Sequence, residues 1–185
     1  KMPEDIQLAI PYIKNLLKAL KIPIVSLEGY EADDLMGTLA VKAEGLGFIT
    51  YLMTPDKDFA QLVNSNTFIY KPGRSGNPFQ ILGVKEVCEK FEIETPKQVI
   101  DILGLWGDAV DNIPGIPGIG EKTAKKLISQ YGSVEGLLKN THELKGKQKE
   151  NVENFAEQGL LSKKLATIIL DSPIEFIPEE FILKQ

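Results

Sequence analysis

The strongest constraint on the fold is a change of pattern at Val84: before it, helix-like and strand-like stretches alternate, and after it only helix-like stretches follow. The opening "PEDIQLAIPYIKNLLKAL" reads as a helix, with Pro3, Glu4 and Asp5 suited to its first turn and Pro11 as a point where it can kink. "IPIVSL" is a short apolar run of the kind that forms a buried strand. In "EADDLMGTLAVKAEG" the apolar residues Ala32, Leu35, Met36, Leu39, Ala40 and Ala43 recur at helical spacing, and Gly45 closes the run. "FITYLM" is apolar throughout, which predicts a strand covered on both faces. A short helix around Asp58 to Val63, a strand at "TFIY" and an exposed loop at "KPGRSGNP" follow. Strands alternating with helices imply a parallel sheet with helices on its faces, so the expected class is α/β.

From Val84 the helices are "VKEVCEKF", "PKQVIDILGLW", "EKTAKKLISQY", "SVEGLLKN", and "KQKENVENFAEQ" onward to about Ile169. Gly132 after Tyr131 is a helix stop, and Ser133 is a ready N-cap for the next helix. A Pro-bearing tail, "DSPIEFIPEE", ends the pattern. At 185 residues and 43% hydrophobic composition, the chain can bury a core as one domain with an appendage or as two small domains. The division expected is an α/β portion at residues 1–108 and a helical portion at residues 109–185.

Several function classes are disfavoured at once. A formal net charge of -5 argues against a generally cationic nucleic-acid coat, so any grip on a polyanion must come from local charge. Cys88 is the single cysteine, which excludes an internal disulfide, suits a reducing compartment and fits a small buried apolar residue. The single His142 cannot build a histidine-based zinc site and fits a solvated loop. No apolar run is long enough to span a membrane, and no secretory signal is expected.

Carboxylates are grouped as Glu31, Asp33 and Asp34, then Asp56 and Asp58, then Asp108 and Asp111. Singly, each group has a bland explanation: acids complement the start of a helix, and "PDKD" is good turn chemistry. Position changes the balance. Glu31 follows the expected strand "IPIVSL" and Asp56 follows "FITYLM", so in a parallel sheet both emerge at the carboxyl edge, where open α/β folds place their sites. Spacing alone does not bring Asp108 and Asp111 to that rim. Carboxylates about 4 Å apart repel by roughly 4 kcal/mol at an effective dielectric of about 20, so such a group needs cations. Oxygen-only donors favour Mg²⁺ or Mn²⁺ over zinc, and several carboxylates at one edge suit a two-metal site for phosphoryl chemistry.

"GIPGIGEKT" invites a P-loop reading that fails, because Glu121 rather than a lysine follows Gly120, and no strand precedes the turn. The better reading is a hairpin that grips a nucleic-acid backbone. Gly115, Gly118 and Gly120 allow close approach, the amides at the start of the following helix favour a phosphate, and Lys122, Lys125 and Lys126 add charge beside Thr123. Lys145, Lys147, Lys149, Lys163 and Lys164 would extend this basic surface, although each also fits a solvated helix face balanced by nearby glutamates. Contacts of this kind are blind to base sequence and sensitive to salt. Anchor and acids would be neighbours because a cut must fall at a fixed distance from the grip.

"GYEADD", "TPDKDFAQLV" and "GDAVDNIPGIPGIGEKTAKKL" resemble, in order and spacing, the 5′-nuclease domain of bacterial DNA polymerase I, in the flap endonuclease superfamily. The resemblance implies a PIN-like α/β nuclease core with a helix–three-turn–helix element near residues 112–150. It implies structure-selective hydrolysis of DNA at 5′ flaps and nicks, with RNA primer removal, in replication and repair. Glu31, Asp33, Asp34, Asp56, Asp58, Asp108 and Asp111 match the family's metal-binding acids, with Mg²⁺ (or Mn²⁺), as two ions, activating water. The backbone from Ile113 to Gly120, with Lys122, Thr123, Lys125 and Lys126, matches its duplex-gripping turn, which in relatives often holds K⁺. A cytoplasmic, nucleoid-associated bacterial location and a covalently linked polymerase domain are likewise implied.

The family's domain begins with a strand bearing another ligand Asp, followed by a basic helical gateway; "KMPEDIQ" resembles sequence after that gateway. A fragment of the nuclease domain is therefore expected, one that binds DNA, cuts poorly or not at all, and self-associates through an exposed sheet edge. The rival readings are a non-catalytic, sequence-independent DNA-binding module whose acids are structural, and a small-molecule phosphohydrolase that shares the metals but has no use for the lysine helix.

Overall fold

The computed structural model describes residues 3–73 and 78–183, and the expected loop at "KPGRSGNP" lies in part, at positions 74–77, outside the described residues. The α/β class holds. Three short strands form one sheet in the order β1 (Thr50–Met53), β2 (Thr67–Lys71), β3 (Gln80–Leu82). β1 and β2 are parallel, with Thr50 opposite Thr67, whereas β2 and β3 are antiparallel, with Ile69 opposite Leu82. Helices are α1 (Glu4–Ala19), α2 (Ala32–Gly45), α3 (Val84–Phe91), α4 (Val99–Trp106), α5 (Glu121–Tyr131), α6 (Val134–Lys139), α7 (Gly146–Asn154) and α8 (Ala156–Leu165). No helix among the described residues is long and apolar enough to cross a membrane.

Three expectations need correction. "IPIVSL" is irregular rather than a buried strand, with Ile24 and Val25 exposed. It pairs with no strand, and Pro23 has no N–H to give a ladder. β1 is covered on one face only: Leu52 is buried, while Tyr51 and Met53 point to the exposed side. The sheet is mixed rather than purely parallel, because β3 returns alongside β2.

The helical half packs hardest. α4 is apolar nearly all round, and Val99, Ile102, Leu103 and Leu105 are wholly buried between α5 and α8. The α4–α8 approach depends on Gly104, since a Cβ there would lie 2.8 Å from the Lys163 Cβ. Lys163 then bridges Asp101 at 2.6 Å and Glu135 at 2.7 Å, tying α8 to α4 and α6. The caps fall as read: α5 ends at Gly132, and Ser133 Oγ accepts the Gly136 N–H at 3.0 Å. His142 is exposed as expected, and Cys88 is half-buried against the core rather than sealed within it.

α8 stops at Leu165, short of the expected Ile169, and the chain continues as an irregular strap back across α2. Gln61 clamps it with one amide, donating to the Ala166 carbonyl and accepting from the Ile168 N–H. Thr38 Oγ1 accepts the Ser172 N–H, and Lys42 Nζ donates to the Ile174 carbonyl. This strap covers a flank of α2 beyond the expected apolar stripe, so Gly37 and Thr38 join Leu35, Ala40 and Ala43 in being buried. α1, by contrast, buries no residue.

Candidate metal centre

Three chain segments deliver the acids. At the start of α2, Asp34 sits in the first turn, where its Oδ2 accepts the Glu31 N–H and its Oδ1 accepts the Ile169 N–H at 2.9 Å. After β1, Thr54 Oγ1 accepts the Asp56 N–H and Asp56 Oδ1 accepts the Asp58 N–H, a pair of local turns that fix the "PDKD" backbone. After α4, Asp108 and Ile113 exchange backbone hydrogen bonds as an isolated bridge, with Asn112 at φ 58 closing the loop. Asp108 Oδ1 accepts the Val110 N–H, and Asp111 stands exposed at the loop tip.

All seven acids reach one rim. Glu31, Asp33, Asp34, Asp58 and Asp111 line a tight cleft of 80 Å³ together with Ile113 and the strap residues Leu165 to Ile168. Asp56, Asp108 and Asp111 line the adjoining 450 Å³ cavity with Lys57, so Asp111 belongs to both. Oxygens of Asp58, Asp108 and Asp111 lie within 4.8 Å of one another. Mutual repulsion is visible in the proton affinities. Burial, and then the charge of Asp56, Glu31, Asp111 and Asp34, pushes the Asp33 carboxyl up. Burial pushes Asp58 up to about 6, against the pull of Lys57 and with further push from Asp56, Asp108 and Asp111. Asp108 goes the other way: burial would raise it, but the Lys57 hydrogen bond and the Val110 N–H hold it below the usual carboxylate range.

Lys57 was not singled out by the sequence, though it lies between Asp56 and Asp58 in "PDKD". Its ammonium hydrogen-bonds Asp108 Oδ2, lies 3.6 Å from Asp58 Oδ1, and sits 5.6 Å from the Trp106 ring centroid. Burial alone would lower its pKa, but that hydrogen bond and the charges of Asp58, Asp108 and Asp56 leave it raised. The strap residues were also missed, because they were read as the end of a helix and a tail.

A divalent cation fits this donor set. Asp58 Oδ1 is buried with no hydrogen-bond partner, a costly arrangement unless something else takes that oxygen. The neighbouring donors are all carboxylate oxygens, with no thiolate or imidazole among them, which suits a hard ion.

The turn between α4 and α5 is built differently from the expectation at several positions. Gly115 is buried, at φ 62, and a Cβ there would stand 2.4 Å from the Gly107 N, so its close approach is to the chain itself. Its N–H donates to the buried Ser162 Oγ. Gly118 and Gly120 are exposed, and Gly120 caps α5. The Gly115 carbonyl accepts from Gln158, and that of Pro117 from Asn151. Lys122 and Lys126 are exposed and Thr123 is half-buried. Lys125 is tied down, paired with Glu121 at 2.9 Å and donating to the Lys90 carbonyl. Lys163 is removed from the expected basic surface by its pairing with Asp101 and Glu135.

Comparisons with known proteins match the chain as two consecutive segments. The family described as 5'-3' exonuclease, N-terminal resolvase-like domain, matches residues 1–92, and that described as 5'-3' exonuclease, C-terminal SAM fold, matches residues 94–185. DNA polymerase I of Bacillus subtilis (strain 168) is 46% identical over 176 residues, 95% of this chain and 20% of that protein. The 5'-3' exonuclease of Aquifex aeolicus (strain VF5) is 39% identical over 185 residues, 100% of this chain and 61% of that protein. The chain therefore spans 20% to 61% of the length of these curated relatives. Among solved structures, zinc-bound T5 5'-exonuclease shares the fold with a TM-score of 0.73 at 21% identity, over 91% of this chain and 63% of that one. The bacteriophage T5 flap endonuclease in a pseudo-enzyme-product complex with DNA and metal ions gives the same TM-score, 0.73, at 21% identity, over 92% of this chain and 63% of that one. With both domains matched in order along nearly the whole sequence, the chain belongs to the 5'-3' exonuclease family.

Proposed function

We propose that this chain carries the metal-binding acids and the duplex grip of a structure-selective 5′-nuclease that hydrolyses phosphodiesters at 5′ flaps and nicks, RNA primers included, during DNA replication and repair. The observation that carries this reading is the convergence of Asp58, Asp108 and Asp111 from two separate loops, with the buried Asp58 Oδ1 lacking a hydrogen-bond partner. Asp58, Asp108 and Asp111 would hold one ion, and Asp33, Glu31 and Asp56 at the same rim would hold a second. We take the ions to be Mg²⁺ or Mn²⁺; bound there, they supply an activated water and charge neutralisation for an in-line displacement. The residues of the chain do the rest. Ile113, Leu165 and Ile168 form an apolar wall that limits water around the acids. Asp34, with an amide on each oxygen and a lone pair left on each, shapes that wall and lines the same cleft. Lys122 and Lys126, with the first turn of α5, would meet the phosphate backbone. K⁺ at the turn would use the second lone pairs of the Gly115 and Pro117 carbonyls.

We place the activity in the bacterial cytoplasm, at the nucleoid, and link the chain to a polymerase domain, which the name DNA polymerase I of its Bacillus subtilis relative supports. β1 has one unpaired edge among the described residues, which supports self-association when no other strand covers it.

The test is a 5′-flap duplex incubated with Mg²⁺ and the intact protein, with Asp58→Asn and Asp56→Ala alongside. Cleavage should fall at least a hundredfold in Asp58→Asn, while flap binding measured in Ca²⁺ persists. Equal cleavage by all three would sink the reading. Binding without cleavage by the wild type would favour the non-catalytic DNA-binding module.

A further inference from the structure

Lys57 stands on the wall between two cavities. On one side is the 450 Å³ cavity with Asp56, Asp108 and Asp111; on the other is a 660 Å³ cleft lined by Trp106, Asn112 and Pro114. The ammonium touches two of the three clustered carboxylates, through a hydrogen bond to Asp108 Oδ2 and a 3.6 Å ion pair with Asp58 Oδ1. It also lies over the Trp106 ring, 5.6 Å from its centroid. We propose that Lys57 is a built-in counterion that bridges the Asp58–Asp108 pair and the face of Trp106 while no divalent cation is bound, and gives up the two carboxylates, keeping only its place beside Trp106, when one binds.

The physical case is one of exclusion. The pair cannot serve both an ammonium and a divalent ion, because the two cations would repel one another at contact distance. Lysine suits such a role because its charge is compact and its stem flexible, and the Lys57 side chain is 29% exposed. The place it keeps is favourable: an indole face attracts an ammonium, and the cleft beside Trp106 offers it solvent. While the lysine holds the pair, the centre is closed to metal, so the apparent affinity is reduced by the fraction of molecules in which it has left. The inference rests on the metal-dependent reading above and adds to it that ion uptake displaces an internal cation.

Trp106 is the single tryptophan of the chain, so its emission reports the move. Mg²⁺, which is diamagnetic, should be titrated into the intact protein, into Lys57→Met, Lys57→Arg and Asp58→Asn, with binding followed by calorimetry and by Trp106 fluorescence. Lys57→Met should bind Mg²⁺ about tenfold more tightly, as expected when an adjacent competing charge is removed. Its emission should not respond to the metal, whereas the wild type and Lys57→Arg should show a saturable change at matching concentrations. Thermal melts without metal confirm that each variant is folded. Equal or weaker binding by Lys57→Met, with Asp58→Asn losing one of the ions that the wild type binds, would overturn the counterion while leaving the metal centre intact. An emission change that persists without the lysine would also overturn it. Equal binding by the wild type and Asp58→Asn would remove both the counterion and the metal reading beneath it.

Discussion

The carboxylate of Asp34 accepts the backbone N–H of Ile169 at 2.9 Å, joining the first turn of α2 to a strap that arrives 135 positions later. Its other oxygen accepts the Glu31 N–H, so each oxygen of an acid that resembles a metal ligand already serves the backbone. Asp34→Ala removes the acceptor of two exposed amides, which water can then serve, and should cost about 0.5–1.5 kcal/mol per bond in urea unfolding. Amide exchange at Ile169 should accelerate, while Mn²⁺ affinity changes less than in Asp58→Asn. A loss of Mn²⁺ binding equal to that of Asp58→Asn would make Asp34 a direct ligand.

The centre itself was legible because acids in short loops after helices and strands have few places to go, and "PDKD" and "GDAVDN" encode their own turns through side-chain acceptors. The opposite wall was not legible. Leu165 to Ile168 continue an apolar helical pattern, and only contacts with Gln61 and Asp34, more than a hundred positions away, end the helix there. "IPIVSL" misled for a related reason. An apolar run is a strand only if a neighbour completes its ladder, and among the described residues none does. Lys125 and Lys163 were counted as surface charge because ion pairing by Glu121 and Asp101 leaves no periodic signature.

Asp58 gives stability a pH dependence of defined sign. Its folded pKa of about 6 lies above the ordinary 3.8, so between those values the metal-free fold holds more protons than the unfolded chain. Stability from this group is therefore greatest at low pH and is lost as pH rises through about 6. In EDTA at about pH 8, Asp58→Asn should melt above the wild type, and the gap should narrow as pH falls towards about 4. Saturating Mn²⁺ should reverse the order at about pH 8, since the wild type gains more binding free energy. A pH-independent gap in EDTA would contradict the assigned burial.

Gly115 concentrates the cost of the turn in one residue. Its φ of 62 and the 2.4 Å that would separate a Cβ from the Gly107 N leave no room for a side chain. Gly115→Ala should destabilise by about 3 kcal/mol or more, by strain and by breaking the Ser162 bond. Gly120→Ala, where nothing lies within 4 Å of the new Cβ, should cost far less. Circular-dichroism melts of the two variants distinguish an internal turn from one whose glycines serve only a ligand.

The lysines of α5 should separate by their existing partners. Lys122 and Lys126 are exposed, whereas Lys125 is 13% exposed and held by Glu121 and the Lys90 carbonyl. If the duplex backbone lies along this helix, Lys122→Ala and Lys126→Ala should each weaken binding equally across sequences and reduce the slope of log affinity against log salt by about 1. Lys125→Ala should alter the slope little, because its charge is already neutralised, and should instead lower the melting temperature slightly through the lost contact of its ammonium with the Phe91 ring. Fluorescence anisotropy of a labelled duplex at several salt concentrations measures all three. An equal slope change for Lys125 would mean that its pair with Glu121 opens when DNA binds.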